Sequence, residues 1–191
     1  LPHRLEAKRL RELTVLFSEF TTEHAKDRIP KLRRQAVVQG HCHHKAVMRF
    51  DAEKAAFAAM ELDATVLESG CCGMAGSFGF EAGKYDVSQA VGERVLLPKI
   101  RATEDDTIVV ADGFSCRTQI AQGTERHALH LAELMKMAID AGPDGPPRGT
   151  KAEAQSVEQR RTALRRSMIG AALFLLVAVA TLVAVLLVVL R

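Results

Sequence analysis

Glu68-Ser69-Gly70-Cys71-Cys72-Gly73-Met74-Ala75-Gly76-Ser77-Phe78-Gly79 sets two adjacent thiols among four glycines, directly after the short apolar run Ala64-Thr65-Val66-Leu67. Neighbouring side chains on an extended strand point to opposite faces, so a Cys-Cys pair serves one site only where the backbone turns. Glycine permits that turn and lets the chain close around a bulky group. Two buried cysteines packed as small hydrophobes would be the plain alternative. A frame this rich in glycine is hard to explain by packing alone.

Two more apolar runs end in the same way. Ala36-Val37-Val38 leads into Gly40-His41-Cys42-His43-His44, and Thr107-Ile108-Val109-Val110-Ala111 leads into Asp112-Gly113-Phe114-Ser115-Cys116. Helix-like stretches separate the three runs. Asp51 is expected to cap one through Ala55, Phe57, Met60 and Leu62, and Val87 to Ile100 forms another, interrupted at Pro98. Residues 4–20 read as an amphipathic packing helix with Leu5, Leu10, Leu13, Leu16, Phe17 and Phe20 on its apolar side. A last soluble helix is expected from about Thr124 to Ile139. Alternating strand and helix predicts an α/β fold, a small and mostly parallel sheet covered by helices. In such sheets ligands gather beyond the carboxyl ends of the strands, where Cys42, Cys71, Cys72 and Cys116 all fall.

The remaining chain differs in kind. Residues 142–150, Gly-Pro-Asp-Gly-Pro-Pro-Arg-Gly-Thr, cannot continue a helix and read as a linker, followed by a polar, basic stretch to Ser167. Met168 to Leu190 carries no charge and has Thr181 as its one polar side chain. At about 1.5 Å per residue it spans roughly 35 Å, enough for a transmembrane helix. The expected organisation is thus a cysteine domain over 1–141, a linker and juxtamembrane segment over 142–167, and a membrane span over 168–190. Residues 142–191 hold 7 Lys and Arg against 3 Asp and Glu, leaving 19 against 20 in residues 1–141. The basic excess therefore flanks the span, and no nucleic-acid face is implied. Arg160, Arg161, Arg165 and Arg166 precede the span and only Arg191 follows it, which predicts a single pass with the cysteine domain in the cytoplasm. The chain opens on Leu1 and is expected to be a piece of something longer.

Four thiols in a reducing compartment suit an iron–sulfur cluster or tetrahedral zinc. No Cys-x-x-Cys knuckle is present, and three residues past Cys116 stands Gln119. His41, His43 and His44 could add nitrogen ligands, but hydrogen bonding around the ligands suits them better. A low-pKa catalytic thiol would need an activating partner that sequence cannot place. Asp86, Glu93, Arg94 and Arg117 read as solvated or locally paired charges.

Taken together and in this order, Gly40–Ala46, Ser69–Gly79 and Ala111–Arg117 resemble the cysteine-rich CCG domains of iron–sulfur oxidoreductases. The similarity is closest to those fused behind an FAD-linked oxidase of the D-lactate, glycolate or D-2-hydroxyglutarate dehydrogenase type. It covers roughly residues 1–138. The resemblance implies that Cys42, Cys71, Cys72 and Cys116 hold or line an iron–sulfur cluster, a 4Fe–4S centre, with His41, His43 and Gly73 just outside them. It also implies electron transfer from a flavin that oxidises a 2-hydroxy acid to a quinone or other carrier. FAD is expected on a missing part or on a flavoprotein partner. In heterodisulfide-reductase relatives the last motif is Cys-x-x-Cys; Gln119 departs from it and leaves that cluster type in doubt. The alternatives are a membrane-anchored zinc or scaffold module without redox chemistry, and a nonfunctional remnant.

Overall fold

Three short parallel strands form the middle of the molecule, with β1 (Gln35–Val38) between β2 (Asp63–Val66) and β3 (Ile108–Val110). Val38 stands opposite Val66 on one side and Val110 on the other. Successive residues face opposite ways, so each strand feeds two cores. On one side Ala36, Val38, Ile108 and Val110 pack with Phe57 of α3 (Asp51–Ala59) and Leu134 of α7 (Leu131–Ala141). On the other, Val109 and Ala111 pack with Leu97 and Ile100 of α5 (Leu96–Arg101) and Ile120 of α6 (Phe114–Gly123). Burying a side chain of this size contributes about 1.5–3 kcal/mol, so both layers are needed to hold so small a sheet.

Strand order positions the site. The chain leaves β1 for one neighbour through α3, then crosses to the other through α4 (Tyr85–Glu93) and α5. Because α3 and α6 cover opposite faces, the segments after β1 and β3 part from each other. A crevice opens where they diverge, at the carboxyl ends of the strands.

The computed structural model describes residues 3–190; Leu1, Pro2 and Arg191, on which the reading of a broken start and of the charge after the span rests, lie outside them. The chain divides into two units after Glu153. In the second, α8 (Ala154–Val189) is one continuous helix of 36 residues, with a mean hydropathy of 3.0 over its most apolar stretch. It is long and apolar enough to cross a membrane. The polar stretch before Met168 is therefore its first turns.

Several elements differ from the sequence expectation, each for a local reason. The first helix breaks at Thr14–Leu16 into α1 (His3–Leu13) and α2 (Phe17–His24), because the Glu19 carboxylate accepts from the Leu16 N–H at 2.7 Å and starts a new helix. Leu5, Leu10 and Leu13 consequently stay exposed instead of packing, and α2 turns Ser18 and Thr21 inward. Phe50, not Asp51, precedes the first residue of α3, while Asp51 pairs with Arg49 at 3.0 Å. The break expected at Pro98 falls earlier, at Arg94–Val95; Pro98 sits in the first turn of α5, where a missing N–H costs nothing. Residues 114–123 are helical, whereas 124–130 are not. Leu129 instead joins the sheet edge beside β3, its N–H donating to Val109 O at 2.8 Å. The His130 side chain then caps α7.

At the amino ends of the strands the proline-rich stretch is fastened down. Buried Arg34 donates to Pro146 O at 2.8 Å and to Asp106 O at 2.7 Å. Buried Arg126 makes a two-pronged pair with Glu153 at 2.8 and 3.0 Å and also reaches Thr107 O at 2.6 Å. Both guanidinium groups thus find oxygen acceptors inside the protein.

Candidate functional site: paired thiols at the switch point

The four cysteines meet at the carboxyl ends of the strands as two pairs. The Cys42 and Cys71 side chains lie beside each other, and so do those of Cys72 and Cys116. All four are free thiols, Cys72 and Cys116 buried and Cys42 and Cys71 half-buried. The pairs are close enough for Cys116 to feel the charge of both Cys42 and Cys71. Among the described residues no group of three or more His, Cys, Asp or Glu side chains converges on one point as a single metal ion would require.

The double-cysteine turn is shaped by glycine. Gly70, Gly73 and Gly76 all have positive φ, at 67°, 97° and 69°, as does Ala75 at 43°. At Gly73 a Cβ would lie 2.1 Å from Ser88 O on α4, so the turn rests directly on that helix. Gly92 of α4 answers it, since a Cβ there would come within 3.1 Å of Cys72 O. The Gly73 N–H donates to Cys71 Sγ at 3.3 Å, and the Gly76 N–H donates to Ser115 Oγ at 3.2 Å. Successive amides aimed inward from a turn of this kind make a cradle for negative charge.

The thiols differ in acidity accordingly. The neighbouring Cys116 thiol outweighs burial at Cys72, and the backbone amides of Met74 and Ala75 add to it, bringing this thiol down to about 6. Cys116 is pushed up by the adjoining Cys72, by burial and by the other sulfurs nearby. Burial is the main cause that raises Cys71. One thiolate is thereby favoured in the buried pair.

Several supports were not evident from the motifs. Buried Gln39, just after β1, donates to Gly70 O at 3.2 Å and accepts from the Ser69 hydroxyl. A polar residue closing an apolar strand is the signal that could have found it. Lys45 reaches Leu67 O at 3.4 Å, tying the Cys42 segment to the double-cysteine turn. Gln119 is buried and donates to Ser88 O at 3.2 Å, while its side-chain oxygen has no hydrogen-bond partner. Arg117 donates to Asp112 O at 2.9 Å and steadies the chain before Cys116.

The other residues singled out by sequence take separate places. A Cβ on Gly113 would lie 2.7 Å from the His41 ring and 3.2 Å from Cys116 Sγ, so His41 stands beside the thiols. His43 lies 6.4 Å from His41 between ring centres, and His44 packs edge-on against Phe50. Glu93 is engaged by Arg101 at 2.6 Å, which holds its carboxyl below the usual range.

Part of the chain is similar to known dehydrogenase proteins. Over 80 residues it is 38% identical to an anaerobic glycerol-3-phosphate dehydrogenase subunit of Escherichia coli (strain K12), covering 41% of this chain and 19% of that protein. Over 79 residues it is 34% identical to the D-2-hydroxyglutarate dehydrogenase of Pseudomonas putida, covering 41% of this chain and 8% of that protein. The matched part spans less than a fifth of the length of these relatives. No family model and no solved structure matches the chain. The homology supports a relationship to an oxidoreductase family.

Proposed function

We propose that the chain is the iron–sulfur electron-transfer module of a flavin-linked dehydrogenase. Cys42, Cys71, Cys72 and Cys116 would hold the cluster, a 4Fe–4S centre. The observation that carries this reading is the gathering of all four thiols, from three separate strand ends, into two adjoining pairs. A donor set of four thiols backed by an amide cradle fits such a cluster in its chemistry. When bound, the cluster supplies one-electron relay between a flavin and an acceptor.

The protein's own residues do the rest. The Gly73 amide donates to sulfur and so offsets thiolate charge. Burial of Cys72 and Cys116 excludes water from one side of the site. Gln39 and Ser115 hold the double-cysteine turn against the segments that carry Cys42 and Cys116. FAD and the hydroxy-acid chemistry belong to a flavoprotein domain or a separate flavoprotein partner. Residues 1–141 act as the redox domain, 142–167 as linker and juxtamembrane segment, and 168–190 as a single-pass anchor in the cytoplasmic membrane. Arg160, Arg161, Arg165 and Arg166 favour the cytoplasmic side for the thiols, and a quinone or other carrier takes the electrons.

Full-length protein purified without oxygen is expected to contain iron and acid-labile sulfide and to give a paramagnetic signal on reduction or oxidation. Cys72→Ser and Cys116→Ser are each expected to lose the iron. Protein that carries zinc, or no metal after reconstitution with iron and sulfide, contradicts the proposal.

A further inference from the structure

The first helix stands apart from both cores. Every residue from Arg4 to Leu13 is exposed, Leu5, Leu10 and Leu13 at 79%, 69% and 71%, and none joins either hydrophobic cluster. An 11-residue helix is marginal in water unless it packs on a surface. With about 100° between successive residues, the three leucines fall within an arc of about 140°. Arg4, Lys8 and Arg11 fall on the opposite side. Glu6 and Arg9, three residues apart inside the leucine arc, carry opposite charges.

The charge of α1 runs against that of the domain it opens. Arg4, Lys8, Arg9 and Arg11 face only two acidic residues, Glu6 and Glu12, leaving 15 Lys and Arg against 18 Asp and Glu in the rest of residues 1–141. Glu12 is already paired with Lys8 at 3.8 Å. A short basic helix with leucines on one side suits a boundary between water and lipid. A protein groove would cover the leucines and leave the excess positive charge without a counterpart, whereas an anionic bilayer meets both. The chain also carries the means of reaching such a surface. The first unit ends at Glu153, and α8 covers the distance from Ala154 to Met168 in roughly 21 Å, at about 1.5 Å per residue. Arg161, Arg165 and Arg166 lie within that stretch and favour the same headgroups.

We propose that α1 lies on an anionic phospholipid surface, its leucines at the acyl boundary and its basic side chains among the headgroup phosphates. This contact rests on the membrane anchor proposed above, which brings a bilayer within reach. Its chemistry comes from the leucines and the charge of α1 itself. The long basic side chains can cover apolar surface with their stems while their charged ends stay at the phosphates.

The chain has no tryptophan, so Leu10→Trp introduces a single indole reporter on α1. Full-length protein carrying it is reconstituted anaerobically into vesicles of phosphatidylcholine with or without phosphatidylglycerol, some with lipids brominated in the acyl chains. In phosphatidylglycerol vesicles the emission is expected to shift to the blue and the bromolipid to quench it. Both effects should weaken in phosphatidylcholine alone and at high salt. Adding Arg9→Gln and Arg11→Gln should lower the ratio of docked to free helix about tenfold or more. Both arginines are exposed, and urea unfolding of that variant checks that the fold is kept. An indole that emits as in water, or quenching indifferent to phosphatidylglycerol and to the two substitutions, overturns the lipid contact. A blue shift without bromolipid quenching places α1 on protein instead and overturns it too. Extraction of the same vesicles with alkaline carbonate reads the anchor separately. Protein released after its indole was quenched contradicts the span and leaves the α1 contact standing; protein retained with a water-exposed indole does the reverse.

Discussion

Two buried carboxylates sit at opposite ends of the same small sheet, and their surroundings could hardly differ more. Glu153, at the amino ends, accepts both prongs of Arg126 and the His127 N–H at 3.2 Å. Burial alone would raise its carboxyl, but Arg126 and the backbone amides outweigh that and hold it below the usual range. Glu53, at the carboxyl ends, is equally buried and has no aligned partner. Burial and Asp112 push it up to about 9. One end of the sheet is closed by a satisfied ion pair. The other keeps unsatisfied groups and four thiols where ligands bind, a division expected when stability and function are carried by different ends of a parallel sheet.

Breaking the closed end should cost most. Arg126→Met strands the Glu153 charge in the interior, and urea unfolding is expected to show a loss of about 3–5 kcal/mol. At the functional end, Gly73→Ala forces a Cβ against Ser88 O at a backbone angle that disfavours side chains. A loss of about 3 kcal/mol is expected, together with loss of iron uptake.

Glu53→Gln sharpens the contrast through pH. The folded carboxyl stays protonated to about 9, while the unfolded one ionises near 4.5. Between those values the unfolded state sheds its proton first, so wild-type stability falls as pH rises. The groups that set this are Asp112 after β3, Ser18 and Glu19 on α2, and burial itself. Glutamine cannot ionise, and the variant should gain on the wild type by roughly 2 kcal/mol between pH 5 and pH 6.5 in parallel urea titrations. A difference that does not change with pH means that Glu53 is ionised in the folded protein. The smallest effect is expected at the exposed first helix. Leu5→Ser with Leu10→Ser, on the exposed face of α1, should shift stability by less than about 0.5 kcal/mol.

The sheet was legible because its three apolar runs are short, β-branched and followed by turn residues; Gln35–Val38, Asp63–Val66 and Ile108–Val110 fall within a residue of those runs. Helix ends were less so. The break before α2 depends on one Glu19 side chain, and Leu129 gives up a helical pattern to extend the sheet, both decided by tertiary contacts. The thiol motifs pointed to one rim without saying how they would pair. The cavity between the segments that follow β1 and β3 left almost no trace in the sequence. Its polar floor draws Ser18, His44, Glu53 and Asp112 from four segments, and only the fold brings them together.

Iron K-edge X-ray absorption on the anaerobically purified full chain asks most directly whether the paired thiols share a cluster. Sulfur-dominated first-shell scattering with a neighbouring iron shell, both lost in Cys116→Ser, is the expected result. Iron bound by oxygen and nitrogen alone, or a spectrum unchanged by that substitution, would contradict it.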